Sequence, residues 1–165
     1  MRALAAALAL SALAACDTQG RPPACPGEAV ALLHFQGAPV DGGCPWISDG
    51  GISFTGTVAY GQAGQAYLCL DRPNASLLAG QRAGDHLIVT GSPVDVSLDA
   101  CGCPLTLTEQ LEGDVLRADG GASGFMGALS DSLVSTDGGT AGCERAGGAA
   151  CGVPCVARWT VQGAR

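Results

Sequence analysis

The chain has 165 residues, a net charge of −7, 26 glycines, nine cysteines, and only three Phe, two Trp and two Tyr. Its eight cations are all arginine, and none of them forms a basic run. An acidic chain of this kind excludes a nucleic-acid footprint and charge-driven docking on anionic lipid.

The first element in chain order is a signal. Arg2 precedes an apolar run from Ala3 to Ala15, and the run ends in Leu13-Ala14-Ala15-Cys16. A cationic start, a short apolar stretch and small residues before a cut form the export pattern. At about 1.5 Å per residue the run spans roughly 20 Å, too short for a hydrocarbon core of ~30 Å. The alternative is an ordinary secretory signal cut after Ala12-Leu13-Ala14. Leu13-Ala14-Ala15-Cys16 resembles the lipobox of bacterial lipoproteins. That resemblance implies removal of residues 1–15 and a lipid-modified Cys16 as the first mature residue. It also implies a bilayer partner reached through the acyl chains, with the chain facing the periplasm or the cell exterior. More than one acyl chain makes a stable anchor where one alone is marginal.

Cysteine parity agrees with this reading. Without Cys16, eight cysteines remain: Cys25, Cys44, Cys69, Cys101, Cys103, Cys143, Cys151 and Cys155. In an oxidising compartment these predict four disulfides, with connectivity open among 105 arrangements. Cys101-Gly-Cys103 and Cys151-x-x-x-Cys155 are neither redox nor zinc spacings. Two cysteines one residue apart on a strand share a face, so Cys101 and Cys103 could pin a strand edge to two neighbours.

Residues 16–27 form a short tether, broken by Gly20, Pro22, Pro23, Pro26 and Gly27. Residues 28–165 then read as one β-rich domain. Candidate strands are Val30–Phe35, Ile52–Tyr60, Ala66–Asp71, His86–Thr90, Val94–Leu98, Leu105–Thr108 and Val153–Val161, several with strict period-two alternation. Leu107–Leu116 and Gly124–Val134 are further candidates, and no segment has helical periodicity. In the last strand Trp159 shares a face with Cys155, Ala157 and Val161, which makes it a candidate core anchor.

Asp-Gly-Gly recurs at 41–43, 49–51, 119–121 and 137–139 and reads as turns. A calcium loop needs several converging oxygens, and each of these Asp residues stands alone. Asp71-Arg72-Pro73-Asn74 is another turn, and Asn74-Ala75-Ser76 is a sequon without a glycosylation reading in a bacterial chain. An apolar-x-Gly-x-apolar pattern occurs around Gly56, Gly113 and Gly127; inward glycines of this kind mark sharp bends in coiled sheets. Residues 137–152 form a Gly/Ala-rich loop carrying Cys143 and Cys151.

The fold expected is an all-β antiparallel meander of seven to nine strands, a small barrel or sandwich stapled by cystine. His34 and His86 are the only histidines, and no nucleophile elbow, zinc-protease or phosphate-loop motif is present. No catalytic residue, metal or cofactor is assigned. The expected function is a non-catalytic envelope module that binds a protein, a glycan or a small apolar ligand, or that plays a structural part. The alternatives are a hydrolase-like enzyme assembled only in three dimensions, or an inhibitor of a secreted hydrolase.

Overall fold

The computed structural model describes residues 25–40, 44, 50–71, 77–97, 101–136, 143 and 151–165. The signal, Cys16, the tether before Cys25, Trp46, Asn74 and the turns at 41–43 and 137–139 lie outside the described residues.

Nine strands follow one another: β1 (Glu28–Pro39), β2 (Ile52–Tyr60), β3 (Gln65–Leu70), β4 (Leu77–Ala83), β5 (His86–Gly91), β6 (Val94–Val96), β7 (Leu105–Ala118), β8 (Gly121–Ser135) and β9 (Cys155–Ala164). Successive strands pair antiparallel except β5 and β6, β5 pairs instead with β7, and β9 pairs back onto β1, closing the sheet. The result is an up-and-down barrel, so the expected all-β fold is the barrel rather than the sandwich.

β5 and β6 lie in succession along β7. Four residue steps from Thr90 to Val94 face three from Gln110 to Leu107. Gly91-Ser92-Pro93 is thus an irregularity in one staggered strand, and Pro93 has no N–H to give the ladder. The closed barrel counts eight strands, with β6 as an additional short piece.

The register sets the dimensions. Pro39 pairs with Trp159, Trp159 with Leu129, Leu129 with Leu111, and Leu111 with Val89. Val89 pairs with Gly80, Gly80 with Ala66, Ala66 with Tyr60, and Tyr60 returns to β1 at Glu28. Discounting the bulge at Ala29/Ala31, the circuit is staggered by about ten residues, which tilts eight strands by roughly 40°. A barrel of this size is just wide enough for side chains to fill.

Side chains fill it. Leu33, Phe35, Val58, Leu68, Leu78, Leu87, Val89, Leu105, Leu111, Phe125 and Val161 are fully buried and belong to one contiguous cluster with Val115, Leu129 and Trp159. All three phenylalanines meet there: Phe35 stacks on Phe54 at 4.8 Å and meets Phe125 edge-on at 5.6 Å. The outward positions are largely polar, from Ser53 and Thr55 on β2 to Thr160 and Gln162 on β9. Apolar inside and polar outside is the inverse of a transmembrane barrel.

Period-two alternation explains why most strands fall where the sequence places them. β4 is the strand the sequence does not announce: its inward positions hold Gly80 and Arg82 after Leu78. The two segments Leu105–Thr108 and Leu107–Leu116 merge into the single long β7. The Asp119-Gly120 turn has positive φ at both residues, 50° and 80°, the type I′ geometry that suits a two-residue hairpin.

Candidate functional site

The two ends of the barrel differ in construction. At one end the connections are tight: Gly84-Asp85 joins β4 to β5, and Asp119-Gly120 joins β7 to β8. At the other, the longer connections between β1 and β2, β6 and β7, and β8 and β9 carry five cysteines, and a sixth, Cys155, opens β9.

Those six form Cys44–Cys155, Cys101–Cys151 and Cys103–Cys143; a fourth disulfide among the described residues is Cys25–Cys69. All eight sequence-predicted partners are therefore used. Cys101 and Cys103 lie outside any strand, so they do not pin a strand edge. They tie the β6–β7 connection to the β8–β9 connection through two separate bonds. Cys44, Cys143 and Cys151 are buried and join the apolar cluster with Val153. The cystines thus cap the core at this end. Each closes a loop of 40 to 111 residues, worth about 4–5 kcal/mol per bond in a chain-entropy model.

The hairpin end is closed by polar groups that sequence reading did not single out. Tyr60, Arg82 and Arg117 come from β2, β4 and β7. The Arg82 guanidinium lies 4.2 Å over the Tyr60 ring, a cation–π contact. Arg82 Nη1 donates to the Gly84 carbonyl at 3.0 Å, and Arg117 Nε donates to Asp85 Oδ1 at 2.6 Å. Arg82 Nε is buried without a hydrogen-bond partner, and the buried Tyr60 hydroxyl lies beside the Arg117 guanidinium. Burial pushes the Tyr60 phenol above its ordinary range, and the nearby Arg117 cation only partly opposes this. Asp85 in turn raises the Arg117 guanidinium through their hydrogen bond and charge attraction. Arg82 and Arg117 leave no sequence signal at this site because each stands alone among turn residues.

The histidines sit on the outer wall, apart from each other. His34 Nδ1 and Thr55 Oγ1 share a hydrogen bond of 2.9 Å across β1 and β2. His86 Nδ1 lies 3.0 Å from Asp114 Oδ1, and its Nε2 lies 3.6 Å from Glu112 Oε1. The structure thus joins His86 to two carboxylates, but on a half-exposed convex wall rather than in a cleft. His34 instead borders a groove of about 610 Å³ on the outside of β1, β9 and β8, with Gln36, Leu116, Met126, Thr160 and Gln162. No carboxylate lines that groove. Among the described residues no group of three His, Cys, Asp or Glu is placed to hold a metal.

Inside the barrel, Glu109 and Asp131 are register partners on inward-facing positions of β7 and β8, and both are engaged in polar interactions. Trp159 is 3% exposed, and its indole N–H has no acceptor.

These features define a class: a closed eight-stranded up-and-down barrel with an apolar core, capped by cystines at one end and by an Arg/Tyr/Asp cluster at the other. Comparison with known proteins adds no relative: no family model, curated protein or solved structure matches the chain.

Proposed function

We propose that this chain is a lipoprotein of the bacterial cell envelope, held on a membrane by an acylated Cys16, with a non-catalytic binding or structural role exerted through its surface. The observation that carries the reading is cysteine bookkeeping joined to motif. The eight cysteines from Cys25 to Cys155 pair among themselves, and the ninth stands in Leu13-Ala14-Ala15-Cys16. Disulfides on this scale belong to an exported protein.

The barrel's position follows from its entry point. Pro26-Gly27 leads into β1, and Cys25 is bonded to Cys69, an outward position of β3 between the inward Leu68 and Leu70. Nine residue steps from Cys16 to Cys25 reach about 30 Å at most, so the domain stays close to the bilayer. The interior is occupied by Phe35, Phe125, Trp159 and the aliphatic cluster. That favours recognition of a protein or a glycan on the surface, or a structural role, over carriage of an apolar ligand within.

Cys16→Ser tests the reading. Metabolic labelling with palmitate should be lost, and the protein should move from the membrane to the soluble fraction. Undiminished labelling in that variant overturns the proposal.

A further inference from the structure

We propose, resting on the reading of Cys16 as an acylated residue, that the outer wall of β2, β3 and β4 lies against the lipid surface, with Leu32 of β1 at its margin. The path of the chain into the barrel selects this face. Glu28 pairs with Tyr60 at the start of β1, but Cys25, three residues earlier, is already back beside Thr57. Its Sγ lies 3.8 Å from the Thr57 carbonyl oxygen and is bonded to Cys69, the register partner of Thr57. Gly27 makes the reversal, with φ of 80° and its backbone so close to the Tyr60 carbonyl that no Cβ would fit. Register carries one outward row across the sheet, from Leu32 through Thr57 and Cys69 to Leu77. The cystine stands in the middle of that row. The tether therefore meets the barrel on the face of this wall, not at either end.

Cys16 stands nine residue steps before Cys25, a reach of about 30 Å at most. The wall that carries Cys25 is thus the one held nearest the acyl chains, and its composition suits that place. Every second residue from Ser53 to Ala59, Gln65 to Cys69 and Leu77 to Gln81 points outward, and none is charged. Leu32 and Leu77 flank the cystine at 56% and 36% exposed. Tyr67 adds an aromatic ring with a hydroxyl, a side chain favoured at a lipid interface. Charge near the wall is confined to its rims, Glu28 and Asp85 at one and Asp71 at the other. β2 stands opposite β7 among the eight barrel strands, and β7 presents Glu112 and Asp114 outward. Anionic lipid repels that acidic side and leaves the uncharged one facing it. The neutral outer face of β8 is set opposite β3, away from the tether. Lack of charge alone would fit many partners; the tether bonded into the centre of this wall is what sets a bilayer before it.

Photocrosslinking of the full chain tests the contact, in cells whose phospholipids carry radioactive phosphorus. p-Benzoylphenylalanine at Leu77 should acquire the phosphorus label on irradiation. The same probe at Met126, apolar and 51% exposed on β8, should stay near the level of the unirradiated sample. Leu32→Glu sets a carboxylate against the lipid surface and should lower the Leu77 label about fivefold. Leu32 is exposed, so this variant leaves the core intact. Equal label at Leu77 and Met126, label indifferent to Leu32→Glu, or Leu77 adducts to protein alone would each overturn the proposal. Palmitate labelling of the same cells separates the two readings. Palmitate on the chain without phosphorus label at Leu77 overturns the lipid contact alone, whereas a chain without palmitate overturns the lipoprotein reading and the contact with it.

Discussion

Gly113 and Gly127 face one another across β7 and β8, and the Phe125 ring lies over both. A Cβ on Gly113 would stand 2.6 Å from Gly127 Cα and 2.7 Å from Phe125 Cζ; one on Gly127 would stand 2.8 Å from Gly113 Cα. Phe125 also packs beside Gly163, as does Phe35. The barrel coils most tightly where side chains are missing, and the aromatics fill the space left, a device that pins register in curved sheets.

Gly113→Ala should therefore destabilise by about 1–3 kcal/mol or more, because the obstruction is backbone and cannot rotate away. Gly121→Ala provides the contrast: nothing lies within 4 Å of its added Cβ, and the backbone there is not left-handed. That variant should be neutral or slightly stabilising through its less flexible unfolded chain. Thermal melts of the two compare the effects directly; equal melting temperatures would refute the packing account.

Trp159 anchors the core from β9 through its pair with Leu129. Trp159→Ala should cost roughly 3–5 kcal/mol, as large aromatic deletions do. Trp159→Phe should cost much less, because it keeps most of the packing and removes a buried N–H that has no acceptor. With Trp46 replaced by Phe, the native emission of Trp159 should be blue-shifted and protected from quenchers. Emission resembling free tryptophan would contradict its burial.

The raised Tyr60 phenol gives a pH signature. Folding favours its protonated form, so the associated stability is fully present below the ordinary tyrosine pKa of about 10 and is lost as pH rises through the higher folded value. In a Tyr67→Phe background, absorbance titration near the phenolate band should place Tyr60 above free tyrosine. Arg117→Gln should raise it further by removing the cation that partly stabilises the phenolate. A downward displacement in that variant would mean that Arg117 does not act on Tyr60 as its position suggests.

Peptide mapping without reductant should recover Cys25–Cys69, Cys44–Cys155, Cys101–Cys151 and Cys103–Cys143, with no free thiol among these eight. Replacing Cys25 and Cys69 together by Ser should lower stability by about 4 kcal/mol in the chain-entropy model. Recovery of Cys101–Cys143 and Cys103–Cys151 instead would reverse the assignment at the capped end.

Eight of the nine strands and the turn chemistry were legible in the residues alone. Alternation over Ile52–Tyr60 needs no tertiary knowledge, because each side chain's face follows from the pleat. Asp119-Gly120 specifies its hairpin because both residues tolerate positive φ. Even the tight glycine pair left a trace, as the Gly113 and Gly127 motifs of a short repeat. What the sequence could not specify were relations between distant segments. Barrel rather than sandwich depends on β5 meeting β7 and β9 meeting β1, pairings set by a stagger summed round the whole sheet. β4 stayed hidden because its inward positions answer to neighbours, not to a pattern. Gly80 lies against the Ile88–Val89 backbone, where an added Cβ would stand 3.0 Å from Val89 Cα, and Arg82 lies over Tyr60. Disulfide connectivity and the Arg/Tyr/Asp cluster have the same origin. Each joins residues that are remote in the chain, and only the closed barrel brings them together.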